Sequence, residues 1–230
     1  MKRKNDTAMS GFERGGRRRA LRGAAFLLIC TVTALALTAI ASSSPAAACS
    51  FCGKNLVKNP GAELGRGQNA EHESGAVPDW AKTAGAFGAA SYSYTGFWFL
   101  AASKGPKDKG KNYFFGGSIN GASFPQSVGT QTIKVPAAAA GHKATLSGWL
   151  GNYGSDTSQV RAQFMDSSGK MLSAVRIGPD TTIGGTDMAL RSRTATVPAG
   201  TASISVVITF TTKNHDASQA GADDISLVIN

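Results

Sequence analysis

A period of two in the hydrophobic pattern constrains this chain more than any other feature, and almost no 3.6-residue period accompanies it. Val160, Ala162 and Phe164 alternate with Gln159, Arg161 and Gln163. Ile204, Val206, Ile208 and Phe210 alternate with Ser203, Ser205, Val207 and Thr209. Successive side chains of an extended backbone leave opposite faces, so each such segment buries one face and wets the other. Turn residues punctuate the runs: Asp166-Ser167-Ser168-Gly169 comes before a strand over 171–177, and Val197-Pro198-Ala199-Gly200 before the one over 204–210. Further strands are predicted over 55–59, 86–94, 97–101, 128–135, 143–150, 190–196 and 222–229. The alanine run at 136–141 is too short for a stable helix and reads as a connector. Some ten short strands without a three-turn helix predict an all-β, antiparallel sandwich or barrel.

Charge divides the chain before structure does. The 230 residues carry a net charge of +10, but residues 1–48 hold eight of the 24 basic and two of the 14 acidic side chains. The remaining 16 basic and 12 acidic groups leave a net of only +4, which argues against nucleic acid as a partner. After Arg17-Arg18-Arg19 and Arg22, residues 23–41 carry no charge, and Ala46 and Ala48 form the small pair of an A-x-A exit. Basic, apolar and small-residue regions in that order specify a secretory signal over 1–48. With Gly16 and Ala20 at positions that usually hold other residues, GRRRALR partly resembles a twin-arginine signal, so both export routes stand. An uncleaved anchor is the alternative, since the apolar run is long enough to span a bilayer.

Cleavage removes Cys30 and leaves Cys49 and Cys52 at the start of a short tether, 49–54. Two cysteines cannot complete a four-ligand zinc site. A Cys49–Cys52 disulfide is the expectation in an oxidising compartment, with lipidation of Cys49 as the alternative. The domain itself is expected over 55–230.

Several segments of that domain carry a family likeness: NLVKNPGAELG at 55–65, VPDW at 77–80, NYFFGG at 112–117, LSGWLGNYGSD at 146–156, TVPAG at 196–200 and GADDISLVIN at 221–230. Together they resemble the galactose-binding-like jelly rolls of secreted bacterial carbohydrate-binding modules, and most closely an uncharacterised actinobacterial-type subgroup. The resemblance implies an antiparallel jelly-roll β-sandwich that binds a polysaccharide or cell-wall glycan. It also implies a structural Ca²⁺ flanked by the Glu of the first strand region and the Asp of the last strand, which here are Glu63 and Asp223 with Asp224 adjacent. Asp223 shares its parity with Ile225, Leu227 and Ile229, so its carboxylate is expected to face the core, where it needs a proton, a hydrogen bond or a cation. A metal-free role capping backbone amides is the alternative for Asp223.

Of 18 aromatic residues, 11 fall between Trp80 and Phe124. Sugar rings stack their C–H faces on Trp and Tyr, so a glycan platform is expected around Trp98, Tyr94 and Tyr153, with Asn152, Asp156 and Gln126 as polar partners. Phe97, Phe99 and Phe114 are expected in the core instead. The basic run from Lys104 to Lys111 reads as a solvated hairpin tip, with an anionic polymer as its alternative contact. No G-x-S-x-G, metal-spaced histidine set or facing carboxylate pair marks an enzyme. The expectation is a secreted, monomeric, non-catalytic carbohydrate-binding domain with no membrane span after cleavage. Its alternatives are an adhesive surface protein and a polysaccharide-acting enzyme.

Overall fold

A computed structural model describes residues 49–69, 75–96, 99, 101–119, 121–122, 124–179, 185–213 and 218–230. The signal over 1–48, Trp98 and most of the strand expected over 97–101 lie outside the described residues. Among the described residues ten strands follow in chain order: β1 (Ala81–Ala84), β2 (Gly88–Ser91), β3 (Asn112–Gly117), β4 (Gln126–Lys134), β5 (Lys143–Gly151), β6 (Thr157–Met165), β7 (Met171–Ile177), β8 (Met188–Thr196), β9 (Ser203–Thr211) and β10 (Ser218–Ile229). A single 3-10 turn, Ala137–Ala139, occupies the expected connector. No described helix is long and apolar enough to cross a membrane.

The strands form two five-stranded sheets, in the orders β1-β4-β9-β6-β7 and β2-β3-β10-β5-β8. Every pairing is antiparallel. Without the short β1 and β2, the last eight strands run 4-9-6-7 in the first sheet and 3-10-5-8 in the second. That order is a jelly roll of two Greek keys. The alternating runs supply the interior: Val160, Ala162 and Phe164 of β6 and Ile204, Val206, Ile208 and Phe210 of β9 are completely buried. Each large side chain among them contributes about 1.5–3 kcal/mol by leaving water. At one end the Phe87 ring stacks on Phe114 and Phe210 at 5.7 and 6.2 Å, while Trp80 meets Phe114 edge-on at 5.0 Å.

A second apolar cluster covers the outer face of the second sheet. Ala90, Tyr92, Phe99, Tyr113, Phe115 and Met188 are buried there, with Tyr94 and Trp149 packed half-buried against them. Gly151 and Gly221 face each other across β5 and β10, and a Cβ on either would run into the Phe99 ring. Their neighbours Leu150 and Ala222 belong to the core between the sheets, so the two glycines open the opposite face to Phe99. With apolar layers on both sides, β3 is buried at all six positions. Its sequence therefore shows no alternation, and periodicity did not predict it.

The strand expected over 55–59 is absent. Asn55 makes one bridge to Val228, and its side chain replaces further ladder bonds. Asn55 Nδ2 donates to Ile225 O at 3.1 Å, while its Oδ1 accepts from Leu227 N and Val57 N, each at 3.0 Å. A side-chain amide that mimics a backbone amide ends strand pairing locally.

Candidate functional site

The closing strand bends where the carboxylates lie. Asp223 pairs with Trp149 and Ser226 with Ser147, so three steps on β10 oppose two on β5. The extra residue makes a bulge, and Asp224 sits in it at φ +48°. Asp is among the few side chains that tolerate this left-handed region. The bulge reverses parity, which corrects the expectation that Asp223 faces the same side as Ile225. Asp223 shares the Trp149 face and is completely buried beneath the second aromatic cluster.

There Tyr92 donates its hydroxyl to Asp223 Oδ2 at 2.7 Å, and the Asp224 amide donates to Asp223 Oδ1 at 2.8 Å. Glu63 arrives from the N-terminal segment and accepts from Lys111 N at 2.9 Å and Asn112 N at 3.0 Å. Asn112 fixes the same segment by donating to Ala62 O and Gly65 O. The three acids converge on Gly61: a Cβ there would meet Asp223 Oδ1 at 3.0 Å, Glu63 Oε1 at 3.6 Å and Asp224 Oδ1 at 3.7 Å. Gly110, at φ +65°, lies directly against the Glu63 carboxylate, where a Cβ would collide with it.

Burial pushes the Asp223 carboxyl up to about 8, opposed by its bond from Tyr92 and reinforced by the charges of Asp224 and Glu63. Asp224 is raised by burial first and then by Asp108 and Glu63. The Tyr92 hydroxyl is raised by burial and by the Asp223 charge. One buried carboxylate, Asp223, thus lies beside two exposed ones, Glu63 and Asp224, and like charges on hard oxygens around one small space suit a divalent cation better than they suit one another. Beside Glu63 opens a groove of about 470 Å³, lined also by Gly67, Ser91, Tyr92, Lys111 and Asn112.

The expected glycan platform is distributed differently. Tyr153 is exposed, Tyr94 is half-buried, Gln126 is exposed at the first residue of β4, and Trp98 lies outside the described residues. Asp156 is corrected: it is completely buried, and its two oxygens accept from Lys213 N at 2.9 Å and Gln219 N at 2.8 Å. Its carboxylate ties the ends of the β9–β10 connection instead of facing a ligand. Asn152 is also buried, with no partner for its Oδ1 among the described residues. The aromatic density between Trp80 and Phe124 is used mainly by the two apolar clusters. In the basic run, Lys109 is tied down, donating to Ala101 O and Ser103 O and standing 5.7 Å from the Tyr92 ring centre.

Cys49 and Cys52 form a disulfide. Cys52 Sγ lies 3.9 Å from His142 Nδ1, a neighbour that sequence spacing could not reveal.

The outward face of the first sheet offers a different surface. Cross-strand register aligns Thr132, Ser205 and Gln163 in one row and Val128, Thr209 and Gln159 in another. Where β1 meets β4 this face opens into a groove of about 680 Å³, lined by residues that include Lys58, Asp79, Thr83, Thr130, Thr132 and Lys134.

No protein-family model matches the sequence, and no curated protein matches it. Among solved structures, the enzymatically active domain of bacteriophage CBA120 tailspike protein 4 is 13% identical, with a TM-score of 0.50 over 76% of this chain and 21% of that one. This likeness is one of fold, and the present chain spans about a fifth of the tailspike chain. A family 16 carbohydrate-binding module is 17% identical, with a TM-score of 0.47 over 76% of this chain and 99% of that one. The module TmCBM61, in complex with β-1,4-galactotriose, is 14% identical, with a TM-score of 0.45 over 77% and 99% of the two chains.

Proposed function

We propose that this protein is an exported, non-catalytic polysaccharide-binding jelly roll that lays a glycan chain across the outward face of its first sheet. The observation that carries this reading is the ordered array of hydroxyl and amide side chains on β4, β9 and β6, continuous with the open groove at β1. Threonine, serine and glutamine both donate and accept, which matches the hydroxyls of a sugar chain. A flat strand-built face holds these groups at fixed spacing, so less ordering accompanies binding than on a loop. The galactose-binding-like resemblance of the sequence supports the same reading.

The test is retention on insoluble polysaccharides and purified cell wall, with Ser205→Glu as the blocking variant in the middle of the face. The expected outcome is binding by the wild type and at least a tenfold loss in a variant that still melts cooperatively, since an unpaired charge placed against a neutral ligand costs more than about 1.4 kcal/mol. Undiminished retention by the variant sinks the proposed face. Release of reducing or unsaturated sugars would make the protein an enzyme instead.

Glu63, Asp223 and Asp224 are proposed to hold one Ca²⁺, with backbone carbonyls completing its oxygen shell. The ion would neutralise the three carboxylates and fix the bulge; it takes no part in a reaction.

A further inference from the structure

We propose that the edge of the sandwich between β7 and β8 is a second subsite, an arginine groove that takes the repeated oxyanions of an acidic polysaccharide. The proposal rests on the polysaccharide-binding reading and names its ligand class. Three observations carry it.

First, charge is segregated by strand. The six consecutive strands β4 to β9 contain Lys134, Lys143, Arg161, Arg176, Arg191 and Arg193 and not one Asp or Glu. The carboxylates Glu63, Asp108, Asp223 and Asp224 are grouped at the calcium-type site instead.

Second, three of those cations share one cavity. Arg161, Arg176 and Arg193 line a groove of about 380 Å³ together with Thr194 and the small residues Ala174 and Ala195. Arg161 and Arg176 are directly opposite in the β6–β7 register. Arg193 pairs with the core residue Leu146, so it leaves β8 on the side that faces the first sheet. No carboxylate lines the groove, and none of these three guanidinium groups has a hydrogen bond or ion pair among the described residues.

Third, the arrangement is unfavourable without a ligand. Like charges directly opposite on paired strands destabilise the sheet. An oxyanion between them reverses the sign of that interaction, and guanidinium forks grip carboxylate and phosphate oxygens in pairs. The open edge of the sandwich admits a chain, and the groove adjoins the polar face through Arg161, which neighbours Val207 and Thr130 in register. A polymer crossing that face would carry its acidic groups into the groove.

The experiment measures the affinity of the full domain for polygalacturonate, poly(glycerol phosphate) and a neutral β-1,4-galactan, with a single-stranded oligonucleotide as a polyanion control. Each is titrated against the wild type and the triple variant Arg161→Gln/Arg176→Gln/Arg193→Gln. An acidic glycan polymer is expected to bind the wild type at least about tenfold more tightly than the triple variant, because each charge-assisted bond lost is worth at least that factor. Raising NaCl from about 0.1 M to about 1 M, which shortens the screening length from about 10 Å to about 3 Å, should abolish the difference. The stronger of the two acidic arms separates uronate carboxylates from phosphodiesters as the source of the oxyanion. If the triple variant does not fold, Arg176→Gln alone, on the edge strand, carries the same comparison.

Equal polyanion affinity in wild type and variant overturns the groove. So does equally tight binding of the oligonucleotide, which would mark unselective attraction. Retention of galactan by both proteins with no arginine-dependent step would overturn the groove while leaving the polysaccharide reading intact. Arginine-dependent polyanion binding that ignores Ser205→Glu would leave the groove standing and remove the first-sheet face.

Discussion

At the scale of single residues, the structure is governed by where a side chain has no room. Gly129 lies on β4 against the ring of Phe87, and a Cβ there would overlap that ring. Phe87 is wedged between Phe114 and Phe210, so it cannot step aside. Gly129→Ala should therefore cost about 1–3 kcal/mol, the usual range for overpacking a filled core, read as a lower denaturant midpoint at unchanged slope. Asp166 acts oppositely, through a bonded turn. Its Oδ1 accepts from Ser168 Oγ at 2.7 Å and from Ser168 N and Lys170 N at 2.9 Å. Those bonds, led by the one from Ser168, hold its pKa below the ordinary 3.8. A depressed carboxylate contributes stability above its unfolded pKa and loses it as pH falls through the folded value. The stability gap between wild type and Asp166→Ala should be constant at neutral pH and close below pH 3.8. A gap that persists unchanged in strong acid would refute that account.

At the scale of elements, the bulge in β10 decides what the site can be. A regular strand would have placed Asp223 with Ile225 in the apolar interior; one extra residue turns it to the Tyr92 side. Tyr92→Phe removes the hydroxyl that donates to Asp223 Oδ2 and leaves a buried carboxylate oxygen without that bond. The expected loss is about 1–3 kcal/mol, more if the carboxylate stays charged, measured by denaturant unfolding. A neutral result would mean that water reaches the site. The alternation in β6 and β9 made those strands legible in the sequence, because each has one face against the core and one toward solvent. Both β3 and the segment that leads from Asn55 to Glu63 were illegible, each for its own reason. β3 is apolar on both sides, and the segment is held by side-chain amides and not by a ladder.

At the scale of the whole molecule, the site joins the chain's two ends. Glu63 comes from the segment before the first strand, and Asp223 and Asp224 from the last. A cation bound by all three would bind the folded state and not the unfolded chain, where the ligands are far apart. It should then stabilise globally by mass action. Addition of a chelator is expected to lower the melting midpoint of the whole domain, and excess Ca²⁺ to restore it. Coincident melts with and without chelator would remove the ion from the account. Much of this site was readable in outline: the carboxylates were named from the family likeness of the two ends. Gly61, Gly110 and Tyr92 were not, since their role is to leave space or to cap an oxygen across the fold.

The sequence by itself determined the β class, the turn positions and the separation of a strongly basic stretch over 1–48 from a remainder of net charge +4, because alternation, turn chemistry and charge are local properties of a chain. Only the tertiary structure decided which face each special residue serves. It turned Asp223 over through a bulge, drew Asp156 and Asn152 inside, committed the aromatic run to two apolar clusters, and brought Arg161, Arg176 and Arg193 from three strands to one groove. The physical reason is register. A one-residue shift sends a side chain to the opposite face, and which strands lie side by side depends on pairings between segments far apart in the chain.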